Sequence, residues 1–155
     1  MIDQLFLTAE GAARFHIELV ELKGPGRDDL AKRLRSAIQM GDLSENADYK
    51  AAKEHQGFLE GRIETLEYLL KHAVIVEKVS GSRDVVDIGA YVTVQEDDFD
   101  PEKFQIVGVW EADSLHQKIS NDSPFGRALM GGRVGEDVVA ITPGGEIHLK
   151  ILNIE

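Results

Sequence analysis

Between residues 8 and 71 the apolar positions recur at alternating intervals of three and four. Tyr49, Ala52, Gln56, Leu59, Ile63, Leu66 and Leu70 form one such series, with Gln56 its polar member. This is the narrow seam of a coiled coil, not the broad stripe of a globular helix. An earlier series runs Ala12, Phe15, Leu19, Leu22 and resumes at Leu30, Leu34, Ala37, one residue later than a strict continuation allows. Gly24-Pro25-Gly26 lies in the gap. Proline withdraws a helical donor and glycine loosens the backbone, so the slip predicts a kink or a short break there. The two helical segments meet at Gly41-Asp42-Leu43-Ser44, which leaves room only for a tight turn. An antiparallel helical hairpin follows, its second arm on the order of 40 Å long at 1.5 Å per residue. A hairpin this thin suits reach, and its seam suits dimerisation equally.

Beyond residue 73 the period changes to two. Tyr91-Val92-Thr93-Val94, Phe104-Gln105-Ile106-Val107, Val138-Val139-Ala140-Ile141 and Ile147-His148-Leu149-Lys150-Ile151 read as strands. Thr142-Pro143-Gly144-Gly145-Glu146 reads as a hairpin turn between the last two. Ser123-Pro124 pairs a capping residue with a proline, the usual opening of a helix, here a short one reaching Met130. The expected fold class is therefore α+β: a helical hairpin over 1–78 with its tip at 41–46, then an antiparallel sheet domain with one short helix over 79–155. Gly81-Ser82-Arg83-Asp84 is the expected linker, and Trp110 is expected to pack within the sheet domain.

Charge narrows the function classes. The 155 residues carry a formal net charge of −11, unevenly spread: 11 basic and 14 acidic side chains in residues 1–78, but 6 and 14 in residues 79–155. Bulk attraction to duplex DNA or anionic lipid is excluded, since each phosphate contact needs a local cation. Any nucleic-acid role needs a local basic patch or a partner that already holds the nucleic acid. Absence of cysteine removes disulfides, thiolate metal sites and cysteine nucleophiles. No apolar run approaches a membrane span and no secretory leader is visible, so a cytoplasmic location is expected.

The hairpin tip carries Asp42 and Glu45 three residues apart. Two exposed carboxylates suit a hard cation such as Mg²⁺, but two are too few to hold it unaided. The same spacing is that of a capping box, with Asp42 capping the second helix and Glu45 reaching back to its amide. Lys32, Arg33 and Arg35 on one arm and Lys50 and Lys53 on the other form a basic cluster that fits phosphate contacts or the solvated face of a coiled coil. The five histidines have no ligand spacing, and the Gly-Gly pairs lack the Lys-Ser/Thr of a phosphate loop.

The stretch from Gly41-Asp42-Leu43-Ser44-Glu45-Asn46-Ala47-Asp48-Tyr49 through Lys50-Ala51-Ala52-Lys53-Glu54 to Gly61-Arg62-Ile63 closely resembles the signature of the bacterial Gre transcript-cleavage factors. Gly89-Ala90-Tyr91-Val92, Glu111-Ala112-Asp113, Ser123-Pro124-Phe125-Gly126-Arg127 and Thr142-Pro143-Gly144-Gly145-Glu146 resemble the family's later landmarks, in order. The resemblance implies a coiled-coil hairpin followed by a domain similar to the FK506-binding proteins. It implies a protein that is no enzyme alone but enters the secondary channel of RNA polymerase and stimulates cleavage of backtracked RNA by the polymerase. Asp42 and Glu45 would then be the catalytic carboxylates, holding a Mg²⁺ shared with the polymerase, with no metal expected in the free protein. Lys53, with Arg35 and Lys50, would contact the nascent RNA 3′ end. Ser123 and Pro124 would lie on the polymerase-docking surface, and the protein would be a monomer. Two departures stand out: Ile38-Gln39 replaces the family's usual Arg-Glu, and Gly24-Pro25-Gly26 is unusual there. The alternative functions are a non-cleaving channel-binding regulator of the same fold, and a prolyl isomerase or chaperone. An isomerase would need an aromatic-lined apolar pocket, which Tyr91, Phe99, Phe104, Trp110 and Phe125 are expected to supply poorly.

Overall fold

A computed structural model describes residues 4–41 and 45–155. The chain divides into two compact units: one takes in the N-terminal residues up to Gly11 together with Ala73–Glu155, the other is Ala12–His72. The expected boundary at residues 78 and 79 therefore moves, because the N-terminal strand β1 (Phe6–Thr8) pairs parallel with β2 (Val74–Val76), in register Leu7 with Ile75. Three-residue strands are too short to show a period, which is why neither was foreseen.

The helical unit holds α1 (Ala9–Glu21, from Ala12 on), α2 (Arg27–Gln39) and α3 (Ala47–His72). The expected break at Gly24-Pro25-Gly26 is instead a π-helical turn, Leu22–Gly26, flanked by Glu21 and Arg27 with ordinary α-helical dihedrals. Arg27 N–H reaches the Leu22 carbonyl, a span of five residues. One extra residue is thus absorbed into the helix, matching the one-residue slip of the seam, and the missing Pro25 donor is tolerated within that turn. Leu30, Ala52, Leu59 and Ile63 form the buried seam, with Leu19, Leu22 and Leu34 packed against it. At the far end of α3, Leu69 is buried and Leu70 only half so. Ion pairs run along the flanks: Arg27 with Glu60 at 2.8 Å, Lys23 with Glu67 at 2.9 Å and Arg62 with Glu18 at 2.8 Å. The descending order of partners (27 with 60, 33 with 55) shows α2 and α3 to be antiparallel.

The other unit is a five-stranded sheet of order β5-β4-β3-β7-β6, built from β3 (Tyr91–Glu96), β4 (Glu102–Val107), β5 (Lys118–Ser120), β6 (Asp137–Thr142) and β7 (Gly145–Ile154). Its pairings are antiparallel except β4 with β5, which is parallel, so the sheet is mixed and not purely antiparallel as expected. The single helix here, α4 (Pro124–Leu129), covers part of one face. Val92, Val94, Ile106, Leu129, Ala140, Ile151 and Ile154 are the heart of the core. Gly126 lets α4 come close: a side chain there would land on the Ser120 carbonyl. Trp110 is not packed in the sheet but sits 49% exposed in a short helical turn, Val109–Glu111. The adjacent Glu111 is buried, and its carboxylate accepts the Thr8 N–H and hydroxyl, both at 2.7 Å, while Thr8 Oγ1 caps α1 at the Gly11 N–H.

Candidate functional site at the hairpin tip

The tip is organised by Asn46. Its Oδ1 accepts the Tyr49 N–H at 3.0 Å and its carbonyl accepts the Lys50 N–H at 3.1 Å, which makes it the N-cap of α3. Its Nδ2 donates at 2.7 Å to the Ala37 carbonyl, one of the last acceptors of α2. One half-buried amide therefore stitches the end of one arm to the start of the other. Met40 N–H also reaches the Ala37 carbonyl, and Gly41 then turns the chain at φ +117°, a region that favours glycine.

The capping reading of the acidic pair is thereby corrected. The connection runs from residue 40 to 46, longer than the tight turn expected, and the cap of α3 is Asn46, not Asp42. Glu45 precedes the cap and is exposed. Asp42 lies outside the described residues, as do Leu43 and Ser44. Among the described residues no group of three or more His, Cys, Asp or Glu side chains could hold a metal ion. The donor set at the tip is nonetheless hard oxygen, the type Mg²⁺ prefers, and too small to complete its shell.

Behind the tip, Lys32, Arg33, Arg35, Lys50 and Lys53 are all exposed. Arg33 Nη1 donates to His55 Nδ1 at 2.9 Å across the arms, and Lys53 Nζ to Gln56 Oε1 at 2.9 Å along α3. Ile38 and Met40 add exposed apolar surface to the same end of α2. A shallow hollow of about 160 Å³ lies between Arg33, Ser36, Met40 and Asp48. Asn46 is the residue that spacing arguments missed, although an Asn directly before a helical series is a recognisable cap signal.

In the sheet unit, Ser123 is occupied structurally: its Oγ accepts the Gly126 N–H at 3.1 Å and donates to the Ser120 carbonyl at 2.7 Å. Pro124 is exposed at the first position of α4, next to the exposed Asp122–Arg127 pair.

Residues 5–75 match the family model described as transcription elongation factor, N-terminal, and residues 81–155 match that of transcription elongation factor, GreA/GreB, C-term. The chain belongs to the GreA/GreB family. Transcription elongation factor GreA of Bacillus subtilis is 46% identical over 149 residues, covering 96% of this chain and 94% of that protein. GreA of Bacillus cytotoxicus is 43% identical over 150 residues, covering 96% and 95%. Both relatives are GreA proteins, and within the family signature Tyr49-Lys50-Ala51-Ala52-Lys53-Glu54 likewise resembles GreA more than GreB. Among solved structures, GreA factor homolog 1 (Gfh1) of Thermus thermophilus shares 30% identity over 99% of each chain, with a TM-score of 0.45.

Proposed function

We propose that this chain is a GreA-type elongation factor whose hairpin tip supplies carboxylates to the RNA polymerase active centre during cleavage of backtracked RNA. Family membership gives the class. The observation that carries the finer reading is Asn46: because it caps α3 and ties the two arms, the α3 cap does not call on the acidic pair. Glu45 directly precedes that cap and is exposed.

The Mg²⁺ would be held jointly, and when bound it supplies charge neutralisation for the attacking water and the phosphodiester. Asp42 would offer oxygen ligands, while Glu45 would orient the attacking water or help deprotonate it. Two carboxylates suffice because the polymerase completes the coordination shell. Lys53, Arg35 and Lys50 lie behind the tip, where they would bind the displaced RNA 3′ end. An acidic protein can serve this role because the polymerase, not the factor, holds the nucleic acid. Pro124 and the α4 surface that Ser123 shapes dock on the polymerase, and the factor acts as a monomer.

The test is a backtracked polymerase complex carrying 3′-labelled RNA with Mg²⁺. Added factor releases short labelled fragments, and the Asp42→Ala variant binds without releasing them. Binding without release by the unmodified chain would instead mark a non-cleaving regulator. Loss of binding in Asp42→Ala would make the tip a docking element.

A further inference from the structure

The uncovered face of the sheet carries charges that neither the tip chemistry nor the core uses. Alternation puts Val92 and Ile106 in the core, and so turns their neighbours Tyr91 and Gln105 to the opposite face, away from α4. Register sets Tyr91 beside Gln105 and Gln105 beside Lys118, a row across β3, β4 and β5 about 10 Å long at the usual strand spacing. Two hollows flank this row and share Tyr91 and Gln105 as a common wall. One, of about 350 Å³, lies between the sheet and the segment that follows β2, with Arg83 and Gly89 in its lining. The other, of about 290 Å³, is bounded by Lys103, His116 and Lys118.

Arg83 is the orphan of this face. Its Nε is buried without a hydrogen-bond partner, and no ion pair reaches its guanidinium among the described residues. A desolvated guanidinium nitrogen with no acceptor is costly until an anion arrives. Lys118, half-buried on the other side of the row, is likewise unpaired among the described residues. The neighbouring carboxylates are engaged elsewhere: Glu155 with Lys103 at 2.7 Å, Glu10 with Lys78 at 3.8 Å and Asp113 with His116 at 2.6 Å. Glu77 alone stands exposed in the lining of the larger hollow with no such partner among the described residues. Between the two unpaired cations the Tyr91 ring is 42% exposed, with Lys103 Nζ 5.4 Å from its centroid. An aromatic ring on an open sheet face, with an unpaired cation to each side, is a platform for a stacked base and the phosphates that flank it. An acidic peptide would satisfy the cations and leave the ring nothing planar to stack on.

We infer that this face binds a short stretch of single-stranded nucleic acid: one base stacks on Tyr91, Arg83 takes the phosphate on one side of it and Lys118 the phosphate on the other. The net charge of −11 repels the strand at long range, so binding is weak and depends on these local contacts. The site is separate from the hairpin tip and does not rest on the reading of its carboxylates.

The experiment titrates the whole chain, isotope-labelled for NMR and without polymerase, at low salt with a single-stranded RNA of about six nucleotides. Amide signals of Gly89, Tyr91, Gln105 and Lys118 shift and saturate together. Tyr91→Ala weakens this binding about tenfold, and Tyr91→Phe, which keeps the ring, restores it. Arg83→Gln and Lys118→Gln each weaken it several-fold and each lower the salt slope by about 0.7, the signature of one lost phosphate contact. Thermal unfolding is the control for folding, and the salt slope is a readout that a purely structural role of either cation would not move. Shifts confined to the basic cluster of the hairpin, around Lys50 and Lys53, would overturn the inference. So would salt slopes unchanged in both charge variants. Displacement of the RNA by an oligoglutamate peptide at equal concentration would make the occupant an acidic protein segment instead. A nucleoside monophosphate that binds as tightly as the oligonucleotide would overturn the two-phosphate arrangement.

Discussion

The two units use apolar residues in opposite ways. In the hairpin a single seam is buried, Leu30, Ala52, Leu59 and Ile63, with half-exposed ion pairs along its sides. In the sheet unit ten residues close into one core with a helix laid across it. A period of three and four yields a rod with no thickness. A period of two, folded back on itself, yields a body. The rod spends its residues on length, which on the proposed function carries carboxylates at its tip, while the body spends them on a closed core.

That contrast can be broken most severely in the body. Ile151, on β7, is fully buried in the core, so Ile151→Ala costs about 4 kcal/mol in lost burial and cavity. Denaturant unfolding followed by fluorescence of Trp110, the only tryptophan, measures this in the unit concerned. Leu30→Ala in the thin seam costs less, about 2–3 kcal/mol, because a two-helix seam can partly collapse into the space. It shifts the loss of helical circular dichroism and leaves the Trp110 transition in place. A common shift of both signals would show that the units unfold as one. Asn46→Ala removes a helix cap and the stitch to Ala37 together, for about 1–2 kcal/mol. Faster amide exchange at Tyr49 and Lys50 and slower RNA cleavage are the readouts.

The smallest effect concerns a flank pair. Hydrogen bonds from Arg27 hold the Glu60 carboxyl below the usual glutamate range, and the pair raises the guanidinium in turn. A carboxyl depressed by folding stabilises the native state above its unfolded pKa, and that contribution fades as pH falls through the folded value. Arg27→Ala therefore returns the Glu60 titration, followed by NMR, to the ordinary glutamate range and removes this part of the hairpin's acid sensitivity. An unchanged Glu60 titration would deny the pairing in solution.

Much of the hairpin was legible because a seam writes itself into spacing: the residues assigned to the first arm are buried or half-buried. The slip at residue 26 was legible as an event, but its form was not, since spacing alone does not distinguish a broken helix from one that absorbs an extra residue in a π turn. The cap was misread because Asp42 and Asn46 offer similar signals four residues apart, and only geometry selects between them. β1, β2 and β5 are too short to carry a period, and their parallel pairings depend on distant partners.

The central claim is that the tip acts through its carboxylates inside a polymerase that supplies the remaining metal ligands. The most direct measurement is the cleavage rate of a backtracked complex at saturating factor, titrated with Mg²⁺, for the unmodified chain and for Asp42→Asn. The account predicts that Asp42→Asn binds with unchanged affinity but cleaves at least about a hundredfold more slowly at low Mg²⁺, with partial recovery as Mg²⁺ rises. Equal rates across the titration would contradict it.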